Sequence, residues 1–169
     1  MAGDEESAEI IEVGEGPSVP LPRQERVEHH PAAIQQEAAY GIKVWVERPY
    51  DEALAAVKRA LGREGFEIVI ETDIRQLLHE KLGTEFRQYT ILGALNPDWA
   101  RRALDLDIDL GLLLPLNMVV YETTGGTIVE AIDSMAYFAI TDSADLADMA
   151  REAKQKLQDV VDHVAAGLA

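Results

Sequence analysis

The sequence predicts one mixed helix-and-strand domain with the element order β-α-β-α-β-α-β-β-α. Three observations carry that reading. From Tyr40 onward, short runs with apolar residues at every second position alternate with longer runs in which they recur every three or four. Capping residues stand where the period changes, among them Asp73, Gly83, Asn96-Pro97 and Gly65. A chain of 169 residues, 47% of them apolar, is long enough for one sizeable core.

The elements follow in order. Residues 1–38 are acidic and punctuated by Gly14, Gly16, Pro17, Pro20 and Pro22, so they read as an extension without its own core. A short helix is expected within Val27–Ala39, after Pro31. His29-His30 lacks a spaced third ligand and is read as solvated, so no metal site is assigned. The folded domain is taken as 39–169. Its first strand sets Ile42, Val44 and Val46 on one face and Lys43 and Trp45 on the other. The first helix lines up Leu54, Val57 and Leu61, with Asp51 and Glu52 at its positive end. A second strand groups Phe66, Ile68 and Ile70. Asp73 and Gln76 have the spacing of a capping box before a second helix with the stripe Ile74, Leu77, Leu78 and Leu82. The third strand is Phe86–Leu95.

The stretch Ala94–Asn117 holds two prolines in an otherwise patterned region. Asn96 suits an N-cap, because its side-chain oxygen accepts from an unpaired backbone N–H. Pro97 suits the first helical position, where it forfeits no hydrogen bond. Trp99, Ala103 and Leu104 then face the core. Asp105–Asp109 leave the helix in polar steps, Gly111 allows a turn, and Pro115 opens the next strand. Two strands flank Gly125-Gly126, a pair fit for a tight hairpin. Asp142 or Ser143 caps a last long helix lined by Leu146, Met149, Ala150, Ala153, Leu157, Val160, Val161 and Val164, and Gly167 ends it.

Composition narrows function. Formal charge is −16, which disfavours binding to phosphate backbones or anionic membranes. There is no cysteine, hence no disulfide, thiolate nucleophile or thiolate-bound metal. No run has the length of a membrane span and the acidic N-terminus does not read as a signal peptide, so a soluble, cytoplasmic protein is expected. Neither a glycine-rich phosphate loop nor a Ser-His-Asp grouping nor a His-x-x-x-His helix is present.

The run from Phe66 to Asp133 resembles the DUF302 domain family. The likeness rests on Gly65-Phe66, Glu71-Thr72-Asp73-Ile74, Lys81-Leu82-Gly83, the segment Phe86–Ala94, Asn96-Pro97, Ala103-Leu104, Asp107, Gly111, Leu114-Pro115, Asn117 and Ile132-Asp133. With the opening Tyr40-Gly41 and the closing helix, it extends over nearly all of residues 40–165. The resemblance implies an α+β fold: a curved, largely antiparallel sheet of about five strands with helices packed on it, in the TATA-binding-protein-like grouping. It also implies a frequent homodimer and no established activity. The TATA-binding likeness is one of fold and brings no DNA binding. Many members carry Cys before the Asn-Pro and after the Leu-Pro, where this chain has Leu95 and Leu116, and Asp-Pro where it has Ser134.

The polar positions shared with the family pattern are the candidate site: Asn96, Asn117, Lys81, Asp107 and Tyr89, read as ligand-binding positions. Each also has a structural reading. Asn96 caps a helix, Lys81 lies near a helix C-terminus, Asp107 belongs to a solvated exit, and Tyr89 packs. Asn117, in an apolar strand start, reads as a buried amide that needs partners. No cofactor is assigned. The order of readings is a homodimeric, non-catalytic module that binds a small molecule or regulates, then a structural or protein-interaction homodimer, then an enzyme of unknown class. The expected partners are a second copy and a small ligand, without nucleic acid or membrane.

Overall fold

The computed structural model describes residues 35–38, 40–138 and 144–169. Six strands form one sheet, all neighbours antiparallel, in the spatial order β1-β2-β6-β5-β4-β3. They are β1 (Gln35–Ala38), β2 (Gly41–Val46), β3 (Glu67–Asp73), β4 (Tyr89–Leu95), β5 (Leu116–Thr123) and β6 (Gly126–Ile132). The helices are α1 (Tyr50–Arg63), α2 (Ile74–Leu82), α3 (Pro97–Leu106), α4 (Ser134–Phe138) and α5 (Ala144–Ala165), with a 3-10 turn over Ile108–Leu113. The α+β class and the antiparallel sheet are as the sequence predicts. Five strands match the expected ones, and β1 adds a sixth at the edge, paired with β2.

Strand alternation decides the layers. On one face Val44, Val46, Leu92, Ala94, Leu116, Met118, Val120, Val129 and Ala131 are all buried. They meet Ala53, Ala56, Val57, Ala60 and Leu61 of α1 and the eight predicted core residues of α5, every one of which is buried. Helix α3 joins this layer through Trp99, whose indole Nε1 donates to the Met149 carbonyl at 3.1 Å. Ser134, fully buried, donates its hydroxyl to the Ala150 carbonyl at 2.7 Å and so fastens α4 to α5.

The caps form where the sequence places them. Asp73 accepts from the Gln76 amide at 3.0 Å and Asn96 from the Trp99 amide at 2.9 Å, with Pro97 in the first helical turn. Gly83 closes α2 in the left-handed region, a conformation that would strain any residue with a Cβ. In the hairpin only Gly125 takes positive φ. Gly126 is required by close approach instead, since a Cβ there would overlap the Val46 carbonyl oxygen and the Trp45 indole.

Several expectations are corrected. The short helix within Val27–Ala39 is, at Gln35–Ala38, a strand; the rest of that segment and the caps Asp142 and Ser143 lie outside the described residues. The α2 stripe buries nothing fully: Leu77 and Leu82 are 41% and 68% exposed, because no element lies over that side of the helix among the described residues. Ile70 leaves the core although Phe66 and Ile68 point inward. The register of β3 against β4 slips between Ile68 and Ile70, and this irregularity sends Ile70 to the opposite face beside Gly93. Helix α3 runs on to Leu106, and the segment through Gly111 is a 3-10 turn rather than an open one. Pro115 precedes β5, after a cis peptide bond, and is not its first residue.

Candidate functional site

The five sequence-predicted positions do not come together. Asn96 is spent on the α3 cap. Asp107 accepts from the Asp109 amide at 2.9 Å and caps the 3-10 turn. Lys81 is exposed on α2. Tyr89 lies half-buried on the sheet face away from α1 and α5, where its ring stacks on Tyr121 at 5.2 Å and an interplanar angle of 9°. Asn117 is on that same face but exposed, opposite Gly93, and so is not the buried amide expected from its apolar surroundings.

Leu95 and Leu116, where the family resemblance implies cysteines, are also informative. Leu116 is 2% exposed and pairs with Ala94 on the helix-covered face. Leu95 follows Ala94 along β4, so its side chain leaves the opposite face. The two positions are neighbours in the backbone without their side chains meeting.

Convergent polar groups occur elsewhere, in an open hollow of about 750 Å³ between the start of α1, α2 and the β3–β4 end of the sheet. Tyr50, Asp51 and Leu54 line it from α1, Glu71 and Asp73 from β3, Arg75, Gln76 and His79 from α2, and Gln88 and Thr90 from the approach to β4 and β4 itself. Thr90 is 3% exposed, and its hydroxyl lies 2.5 Å from the Tyr50 phenol oxygen. Burial raises the Tyr50 pKa above the ordinary tyrosine value. The Thr90 hydrogen bond opposes that shift, and the nearby Asp73, Asp51 and Glu71 carboxylates add to it. At neutral pH the group is therefore an uncharged phenol that donates and accepts hydrogen bonds. It is no base. Around it, Glu71 pairs with Lys58 at 2.5 Å, and His79 lies 3.8 Å from Glu85.

Sequence reasoning missed this hollow. One signal was available: Thr90 is a polar residue at a core-facing position of β4, between Tyr89 and Ile91. Its partner, forty residues earlier, is not visible from spacing. Among the described residues no group of three or more His, Asp or Glu side chains is arranged to hold a metal ion. Nor, among them, is any helix long and apolar enough to cross a membrane.

Taken together, the molecule is an α+β domain with helices on one face of an antiparallel sheet and a polar hollow at one end. The family model described as "Domain of unknown function DUF302" matches residues 42–164, and the chain belongs to that family. It is similar to the crystal structure of an uncharacterized conserved DUF302 protein from Bacillus stearothermophilus, with a TM-score of 0.70 and 25% identity. That likeness covers 75% of this chain and 99% of the other. No curated protein matches the sequence.

Proposed function

We propose that this chain is a non-catalytic, homodimeric module that binds a small polar ligand in the hollow between α1 and α2. The observation that carries the reading is the Tyr50–Thr90 pair, buried in part at the wall of a concavity of ligand size. Hydroxyl, carboxamide and carboxylate groups converge there from four elements, α1, β3, α2 and β4, which is the arrangement that fixes the orientation of a polar molecule. The non-catalytic part rests on how the candidate side chains are employed. Asp73, Asn96 and Asp107 each hold a backbone N–H, and the phenol of Tyr50 is held protonated.

The test is a melting-temperature screen of the full chain against polar metabolites, followed by calorimetric titration of any that shift it. Tyr50→Phe and Asp51→Asn are expected to weaken such a ligand about tenfold each, the loss that follows from one unmade hydrogen bond. Asn117→Leu, outside the hollow, is expected to leave its affinity unchanged. If every stabilising compound binds these variants as it binds the parent, the hollow is not the site. The alternative, an interaction protein with no ligand, is favoured by the sheet face that no helix covers among the described residues, and would show as a screen without any shift.

A further inference from the structure

We infer that the ligand of the hollow between α1 and α2 is a small organic cation, a primary alkylamine or diamine in its ammonium form. The inference rests on the ligand-binding reading above and names the chemical class which that reading leaves open.

The charges at the hollow come from separate parts of the chain. Asp51 stands in the first turn of α1, Asp73 on β3 and Glu85 in the segment between α2 and β4. Glu71, also on β3, is already neutralised by Lys58 at 2.5 Å. The carboxylates of Asp51, Asp73 and Glu85 then stand against the one guanidinium of Arg75, an excess of two negative charges with His79 counted as neutral. Among the described residues neither Asp51 nor Asp73 is in an ion pair. A concave site lined by one sign of charge focuses its field on whatever enters it. The Tyr50 phenol reports that field: burial raises its pKa most, and the carboxylates of Asp73, Asp51 and Glu71 all raise it further. An anion would be repelled here, and a neutral molecule would leave the surplus charge unanswered.

The geometry separates an organic cation from a metal ion. A divalent metal needs about six oxygen atoms converging within about 2.0–2.6 Å of one point. Among the described residues no three His, Asp or Glu side chains are placed to supply such a point. The carboxylates are instead spread around an open space of about 750 Å³, which is the size of a small-molecule site. The other groups at hand accept hydrogen bonds. The Tyr50 and Thr90 oxygens lie 2.5 Å apart and share one hydrogen bond, which leaves lone pairs on both. Gln76 donates its amide nitrogen to Glu80 at 2.7 Å, so its carbonyl oxygen is the end left to accept. An ammonium has three donors and no acceptor, and its hydrogen bonds to carboxylates are charge-assisted.

The experiment compares three probes with the same four-carbon chain: 1,4-diaminobutane, 1,4-butanediol and succinate. Each is titrated calorimetrically into the full chain at about 0.15 M salt, where diffuse attraction to an acidic protein is screened beyond about 8 Å. The diamine is expected to bind with a dissociation constant at or below about 1 mM, at least about tenfold tighter than the diol or the diacid. Asp51→Asn and Glu85→Gln are each expected to weaken the diamine about tenfold. Glu85 is the safer variant for folding, since its side chain is 78% exposed and its nearest charged partner, His79, is 3.8 Å away. Asp105→Asn, an exposed carboxylate on α3 outside the hollow, is expected to change nothing. Circular dichroism confirms that each variant is folded. A diamine whose binding ignores Asp51→Asn and Glu85→Gln, or falls equally with Asp105→Asn, is held by the general charge of the chain, and the inference is overturned. Tighter binding of the diol or the diacid that Tyr50→Phe weakens overturns the cationic class and leaves the hollow as the site. If no probe binds at about 10 mM and the metabolite screen also gives no shift, the ligand-binding reading falls together with this inference.

Discussion

The two faces of the sheet differ in what their side chains meet, although the same strands supply both. On one, Val44, Val46, Leu92, Ala94, Leu116, Met118, Val120, Val129 and Ala131 are sealed beneath the helices. On the other, the half-buried residues include three aromatic ones, Trp45, Tyr89 and Tyr121, and the Lys43–Glu130 ion pair. The covered face is therefore where packing stabilises the chain; over the other, no helix lies among the described residues. Alternation alone tells which residues share a face; it says nothing about what lies above them.

The largest expected effect separates adjacent residues of β4. Leu92→Ala, at a fully buried site, should cost about 2–5 kcal/mol, the range for cavities in a packed core. Ile91→Ala, one residue earlier and half-buried, should cost about 1 kcal/mol. Denaturant midpoints measured at low protein concentration, where association does not contribute, decide between a real asymmetry and two equally packed faces.

A smaller contrast concerns the two asparagines. Asn96→Ala should cost about 1 kcal/mol by removing the α3 cap. Asn117→Ala should stay within about 0.5 kcal/mol, since the side chain is exposed. Equal losses would mean that Asn117 has a partner the fold does not show.

The smallest effect is alkaline. Tyr50 beside the hollow has a phenol pKa raised above its ordinary value, mainly by burial. The folded state holds that proton more tightly than the unfolded chain, so its contribution is complete below the unfolded pKa of about 10 and is lost as pH rises through the higher folded value. Tyr50→Phe should flatten the fall in melting temperature over that window. An unchanged alkaline slope would assign the loss to Tyr89, whose pKa is raised by burial on the face away from α1 and α5.

Much of the frame is legible in the sequence because it depends on contacts a few residues long. Asp73 reaches Gln76 and Asn96 reaches Trp99, each three residues on, so those helix starts are written locally. The long stripe of α5 is legible for a related reason: a helix with eight apolar residues on one side has few stable placements other than on a sheet. The α2 stripe looks the same in sequence and is not buried, because periodicity reports a helix's own asymmetry and not the presence of a partner. Ile70 escapes prediction through the slip of one residue in β3, which reverses every later side chain of that strand. The candidate site was hardest to read. Asn117 sits among apolar neighbours yet points to the open side, and Tyr50 meets Thr90 only after the chain has turned through α1, β3 and α2.

The sequence by itself determined the five strands from β2 to β6, the helices α1, α2, α3 and α5 between and after them, the caps at Asp73 and Asn96 and most of the main core, since these follow from short-range sterics and periodicity. Only the tertiary structure decided which face the helices cover, where β3 changes register and which polar groups share a hollow. Those depend on contacts between residues tens of positions apart, whose geometry is fixed by packing the whole sheet at once.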